Sequence, residues 1–159
     1  MRAIFSILAG FLIIGSATAA ELVVVAESAK SGAGSQLALD VASDGDVSAM
    51  QFAVKLPGKV RGVNTAKCLS ELPKSHTGLC QANIEKGMVA VVVWSNENTA
   101  LPKGMVPIGQ IEVDLAGGAS TRGLEVVDLY MSGADSRPVA STSTVSGNAA
   151  SRARPTDKR

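Results

Sequence analysis

Apolar and polar residues alternate with a period of two along much of this chain. In residues 36–42, Leu37, Leu39 and Val41 alternate with Gln36, Ala38 and Asp40. In residues 50–56, Met50, Phe52, Val54 and Leu56 alternate with Gln51, Ala53 and Lys55. A period of two sends successive side chains to opposite faces of a β-strand, so both segments predict half-buried strands. Residues 22–26 are rich in Val and run into a Ser- and Gly-rich turn, which predicts a strand before them. Pro57-Gly58 ends the Phe52 strand, and residues 59–63 predict a short, weaker one. Residues 88–94 are apolar at every position and predict a central strand covered on both faces. Residues 106–115 alternate in their second half, with Ile111, Val113 and Leu115 inward, and residues 124–131 predict a last strand.

No segment after the first twenty residues carries an apolar 3.6-residue period. Strands punctuated by Gly, Pro, Asn and Asp at short spacing imply an all-β domain: one jelly-roll-like β-sandwich of about seven to nine strands. Residues 64–86 are the exception. They hold Cys68, Pro73, His76, Gly78 and Cys80 without a clear period, and leave room for a helical turn at 69–72. A structureless stretch of that length inside a compact domain is usually stapled, functional or both.

The N-terminus carries a different signal. Arg2 is followed by a charge-free apolar run over residues 3–15, then by Ala17-Thr18-Ala19, with Thr18-Ala19-Ala20 one step later. This is the three-part layout of a secretory signal peptide, and the run is shorter than the roughly 20 residues of a spanning helix. Residues 1–20 are therefore expected to be removed on export to the periplasm or the cell exterior, leaving no membrane span. Export changes the cysteines, because an oxidising compartment favours a Cys68–Cys80 disulfide.

Charge is unevenly distributed. The whole chain carries +1, but residues 21–135 hold 13 acidic and 9 basic residues, whereas residues 136–159 hold Arg137, Arg152, Arg154, Lys158 and Arg159 against Asp157. The expected organisation is an acidic domain over residues 21–135 and a disordered, basic Ser/Thr/Ala/Arg tail over 136–159. Near-neutrality gives no broad reason to bind nucleic acid.

Chemistry is sparse. His76 is the sole imidazole, no G-x-S-x-G elbow accompanies it, and bridged cysteines offer no thiolate. His76 is expected to face solvent in the disulfide loop. Asp40, Asp44 and Asp46 miss the EF-hand spacing and read as a turn. No catalytic residue, metal site or cofactor is expected. After the leader, the aromatics are Phe52, Trp94 and Tyr130. Phe52 reads as core. Trp94 shares an outward face with Ala90 and Val92 if Val89, Val91 and Val93 point inward, and is core in the other register.

The strand order resembles the cohesin domain, a β-sandwich of the carbohydrate-binding-domain superfamily. The resemblance rests on the strand, Gly turn and strand within residues 24–41, and on Val47-Ser-Ala-Met-Gln-Phe-Ala-Val-Lys-Leu-Pro57. It rests also on residues 87–95 followed by a polar loop and the strand 104–115, and on the closing strand 124–134 with its Ser/Asp/Gly turn. Leu56-Pro57-Gly58 stands where the family has a Tyr-Asp-Pro turn, and the Cys-bearing loop is not a general cohesin feature. The resemblance implies a non-catalytic module that binds an extracytoplasmic protein partner through a sheet face. Gln51, Lys55, Trp94, Asn96 and Glu97 are the candidate binding face. The alternatives are a polysaccharide ligand stacked on Trp94, or a structural subunit that pairs its strand edge with its own copies.

Overall fold

A computed structural model describes residues 19–28, 34–116 and 122–147. They form ten strands: β1 (Ala20–Ser28), β2 (Ser35–Ser43), β3 (Ala49–Lys55), β4 (Val60–Asn64), β5 (His76–Asn83), β6 (Met88–Ser95), β7 (Gly104–Leu115), β8 (Glu125–Ser132), β9 (Pro138–Val139) and β10 (Ser141–Gly147). One sheet runs β10-β1-β2-β7-β4 and the other β5-β6-β3-β8-β9. Within the sheets every strand pair is antiparallel except β1–β10, which is parallel.

The period-two pattern explains the core. Leu37, Leu39 and Val41 from β2 are fully buried, as are Leu22 and Val24 from β1, and they face Phe52 and Val54 from β3 and Val89, Val91 and Val93 from β6 across the sandwich. In β7 the buried positions change phase, from Val106 and Ile108 to Ile111, Val113 and Leu115. The change coincides with a register shift opposite Leu39 and Asp40, where Leu39 pairs with Gly109 and Asp40 with Pro107. One extra residue flips the alternation, which is why only the second half of this strand alternates legibly in the sequence.

Gly109 also receives the Cys-bearing loop. A Cβ there would lie 2.3 Å from the Cys68 carbonyl oxygen, so only glycine permits the approach. The Gln110 N–H donates to the Lys67 carbonyl and the Glu71 N–H to the Ile108 carbonyl. The loop thus continues along β7 where β4 leaves off after the Asn64–Glu112 pair. Cys68, buried beneath it, is bridged to Cys80 of β5. The staple joins a loop packed on one sheet to the edge strand of the other. The 69–72 segment is a turn, with the Leu72 N–H directed to the Leu69 carbonyl.

Four expectations are corrected. The stretch from Ser136 read as a disordered tail contains β9 and β10, and β10 aligns with β1 from Ala20–Ser141 to Ala26–Gly147. Its Ser/Thr sequence hides it because an edge strand needs little apolar surface; residues 148–159 lie outside the described residues. The irregular 64–86 stretch holds β5, another edge strand, whose residues after His76 are half-buried or exposed. His76 is not exposed: at 6% exposure it is one of the buried polar residues. Finally, β6 is interior within its sheet yet covered on one face only, since Ala90, Val92 and Trp94 are exposed. The leader reading falls mainly on residues 1–18, outside the described residues.

Candidate binding face

The outward side of the β5-β6-β3-β8 layer follows from its register. Leu79 lies beside Val92, Val92 beside Gln51, and Gln51 beside Tyr130. The next row is Thr77, Trp94, Ala49 and Ser132, and on the other side lie Gln81, Ala90, Ala53 and Val127. None of these twelve residues is charged. Leu79 is 66% exposed, Tyr130 46%, Val92 41% and Trp94 37%. Four large apolar side chains are therefore held toward solvent on one face of the sandwich. The register leaves them no choice: with Val89, Val91 and Val93 in the core, Val92 and Trp94 must point out.

A bulge shapes one side of this face. The β3–β8 register shifts between Gln51 and Ala53, and Asp128 takes a φ of 55°. Asp tolerates the left-handed region better than most residues. The extra residue lets Val127 and Tyr130 both lie on the outward rows, whereas Val126 aligns with buried Val54 and Met131 with Met50.

The expected site residues are only partly brought together. Gln51 sits at the centre of the face and Trp94 in the adjoining row. Lys55 shares the face but pairs with Met88, about 20 Å along the sheet from Trp94, and its Nζ lies 3.2 Å from Glu125 Oε2. Asn96 and Glu97 are exposed in the turn after β6. Ser95 organises that turn: its Oγ accepts from the Thr99 N–H at 2.8 Å and the Glu97 N–H at 3.3 Å. The Asn96 N–H donates to the Ser75 carbonyl, and Asn98 Nδ2 to the Ala134 carbonyl. The turn thereby ties the start of β5 to the β8–β9 turn and borders the Trp94 end.

Leu79 and Tyr130 were not among the expected site residues. Leu79 falls in a stretch without period, and the β8 bulge obscures the phase of Tyr130. Only the pairing partners Val92 and Gln51 place them.

Beneath the same end, His76 and Ser48 align with Ser95 from either side. His76 Nδ1 is 3.0 Å from Ser75 Oγ, while His76 Nε2 and Ser48 Oγ have no hydrogen-bond partner. Burial lowers the His76 pKa below its ordinary value of 6.5.

The other sheet presents a contrasting outer surface. Glu21, Glu27, Asp40 and Glu112 share it with Gln36 and Gln110. In the Asp40–Asp46 region, Ser43 Oγ accepts from the Gly45 N–H, and Asp44 lies 3.8 Å from Lys103 Nζ. These contacts describe a surface turn.

The structure matches many solved cohesin structures. The fold is cohesin-like. One match is the type I cohesin–dockerin complex Coh-OlpC-Doc435 from Clostridium thermocellum, with TM-score 0.57 and 11% identity over 82% of this chain and 97% of that one. A second is the second type II cohesin module of the ScaA scaffoldin of Acetivibrio cellulolyticus, with TM-score 0.58 and 10% identity over 80% and 92%. A third is the non-cellulosomal cohesin of the archaeon Archaeoglobus fulgidus, with TM-score 0.55 and 9% identity over 82% and 88%. No protein-family model and no curated protein matches the sequence. A cohesin-like fold thus stands here on a sequence about nine-tenths different from those neighbours, which is compatible with soft patterns of alternation and turns rather than fixed residues.

Proposed function

We propose that this chain is an exported, non-catalytic module that binds a protein partner through the outer face of the β5-β6-β3-β8 layer. The observation that carries this reading is the exposure of Leu79, Val92, Trp94 and Tyr130 on twelve contiguous uncharged positions. A strand apolar at every position usually lies between two packed layers; β6 has only one, and the second is supplied by a partner. Contiguous exposed apolar surface with a polar rim suits a protein interface, and Trp and Tyr are favoured anchors there. The cohesin neighbours include complexes with dockerins, which supports a protein as the ligand class. The leader directs the domain out of the cytoplasm, where the Cys68–Cys80 bridge is stable.

The test is capture from an exported fraction with the immobilised mature chain. A specific partner is expected to be retained by the natural chain and lost by Val92→Asp, with thermal unfolding unchanged. Equal capture by both chains would exclude this face, and no specific partner under any condition would overturn the reading.

One observation favours a polysaccharide instead: Trp94 and Tyr130 share the face, two strands and one outward row apart, about 12 Å between Cα atoms. Retention on an insoluble polysaccharide that disappears in Trp94→Ala would establish that reading; retention unaffected by the substitution would exclude the site.

A further inference from the structure

The leader ends in two overlapping small-residue triplets, Ala17-Thr18-Ala19 and Thr18-Ala19-Ala20. Each presents a small side chain just before a potential cut and a small or hydroxyl side chain two positions earlier, so the sequence leaves two cleavage registers open. The fold distinguishes them. Ala19 is exposed and precedes the sheet. Ala20 is the first residue of β1, is 1% exposed, aligns with Ser141 of β10, and donates its N–H to the Ala140 carbonyl at 2.9 Å. β1 is an interior strand, between β10 and β2. A cut after Ala20 would remove a buried side chain and the hydrogen bond that sets the β1–β10 register at its first pair.

Resting on the export reading above, we propose that the chain is processed between Ala19 and Ala20, and that the new N-terminus is a structural part of the sandwich. In this step a membrane-bound signal peptidase hydrolyses the Ala19–Ala20 peptide bond. Water supplies hydroxyl to the Ala19 carbonyl carbon and a proton to the Ala20 nitrogen, so the leader leaves with a carboxylate and Ala20 gains an α-ammonium at neutral pH. The nitrogen that donates to Ala140 as an amide continues to donate as a cation, and charge-assisted donors make the stronger bonds. The domain accordingly begins at Ala20, one residue before the boundary read from the sequence.

The experiment is the intact mass and N-terminal sequence of the full chain after expression in an exporting bacterium. A product beginning with Ala20 is expected. A product beginning with Glu21 overturns the cleavage register and leaves export standing; a chain that keeps residues 1–19 overturns export and the register together. Ala19→Asp adds a second test, because it puts a charge immediately before the proposed cut but at the unconstrained middle position of the alternative triplet. Processing at this bond is expected to stop, whereas undiminished production of the natural product overturns the proposal. Ala19 lies outside the sheet, so folding does not confound the result. A purified chain beginning at Glu21 is expected to unfold roughly 3–5 °C below one beginning at Ala20; equal midpoints would remove the structural role assigned to the new N-terminus.

Discussion

His76 shows how a residue's environment can invert its apparent role. Its polar neighbours in sequence suggest exposure, but β5 begins at this residue and turns the ring inward, with Nε2 buried and unpartnered. Burial disfavours the imidazolium, so the pKa in the folded chain lies below the unfolded value near 6.5. The neutral folded form is fully stable above that unfolded value. As the pH falls below 6.5 the unfolded chain takes up the proton first, and stability declines toward the folded pKa. The midpoint of denaturant unfolding is therefore expected to be lower at pH 5.5 than at pH 7.5, and His76→Phe is expected to flatten the profile in this window. An unchanged slope in that variant would show that His76 does not cause the loss.

At the scale of elements, β6 carries the sharpest contrast. Val91 is fully buried and Val92 is 41% exposed, although they are adjacent and chemically identical. Val91→Ala is expected to cost about 2 kcal/mol by emptying core volume, and Val92→Ala less than about 0.5 kcal/mol. Chemical denaturation of the two variants checks the register directly. β10 supplies a second contrast. It covers the free edge of β1, and Val145 packs against the core. A chain ending at Ser136 is expected to lose thermal stability or aggregate, whereas one ending at Gly147 is expected to keep its melting temperature. Differential scanning calorimetry distinguishes these outcomes. β10 escaped the sequence reading because Ser-Thr-Ser-Thr gives no apolar period; its stability comes from pairing with a strand more than a hundred residues away.

Across the whole molecule, the two outer faces divide the surface chemistry. The β1-β2-β7 side is acidic, and the β5-β6-β3-β8 side is uncharged over its three central rows. Because rim charges alone respond to ionic strength, affinity for the proposed partner is expected to change little between 50 and 500 mM salt, as read by titration calorimetry. A steep loss with salt would move the interface to the acidic side. The Cys68–Cys80 bridge acts at this scale too, tying the loop on β7 to β5. Replacing both cysteines with Ala is expected to lower unfolding stability by about 3 kcal/mol while retaining the β-sheet circular dichroism spectrum, since the core is built from other residues.

The sequence alone determined the all-β class, most of the strands, the inward residues of β2, β3 and the end of β7, and the pairing of its two cysteines. Those properties are local or combinatorial: alternation assigns faces, turns separate strands, and two cysteines allow only one intramolecular bridge. Only the tertiary structure decided that β5 and β10 are strands, that His76 is buried, that β6 has an open face, and that Leu79 and Tyr130 join Val92 and Trp94 upon it. Each depends on which distant strand lies alongside. A weakly apolar edge becomes a strand only when a neighbour offers its hydrogen bonds, and an apolar residue is left exposed only when no second layer covers it.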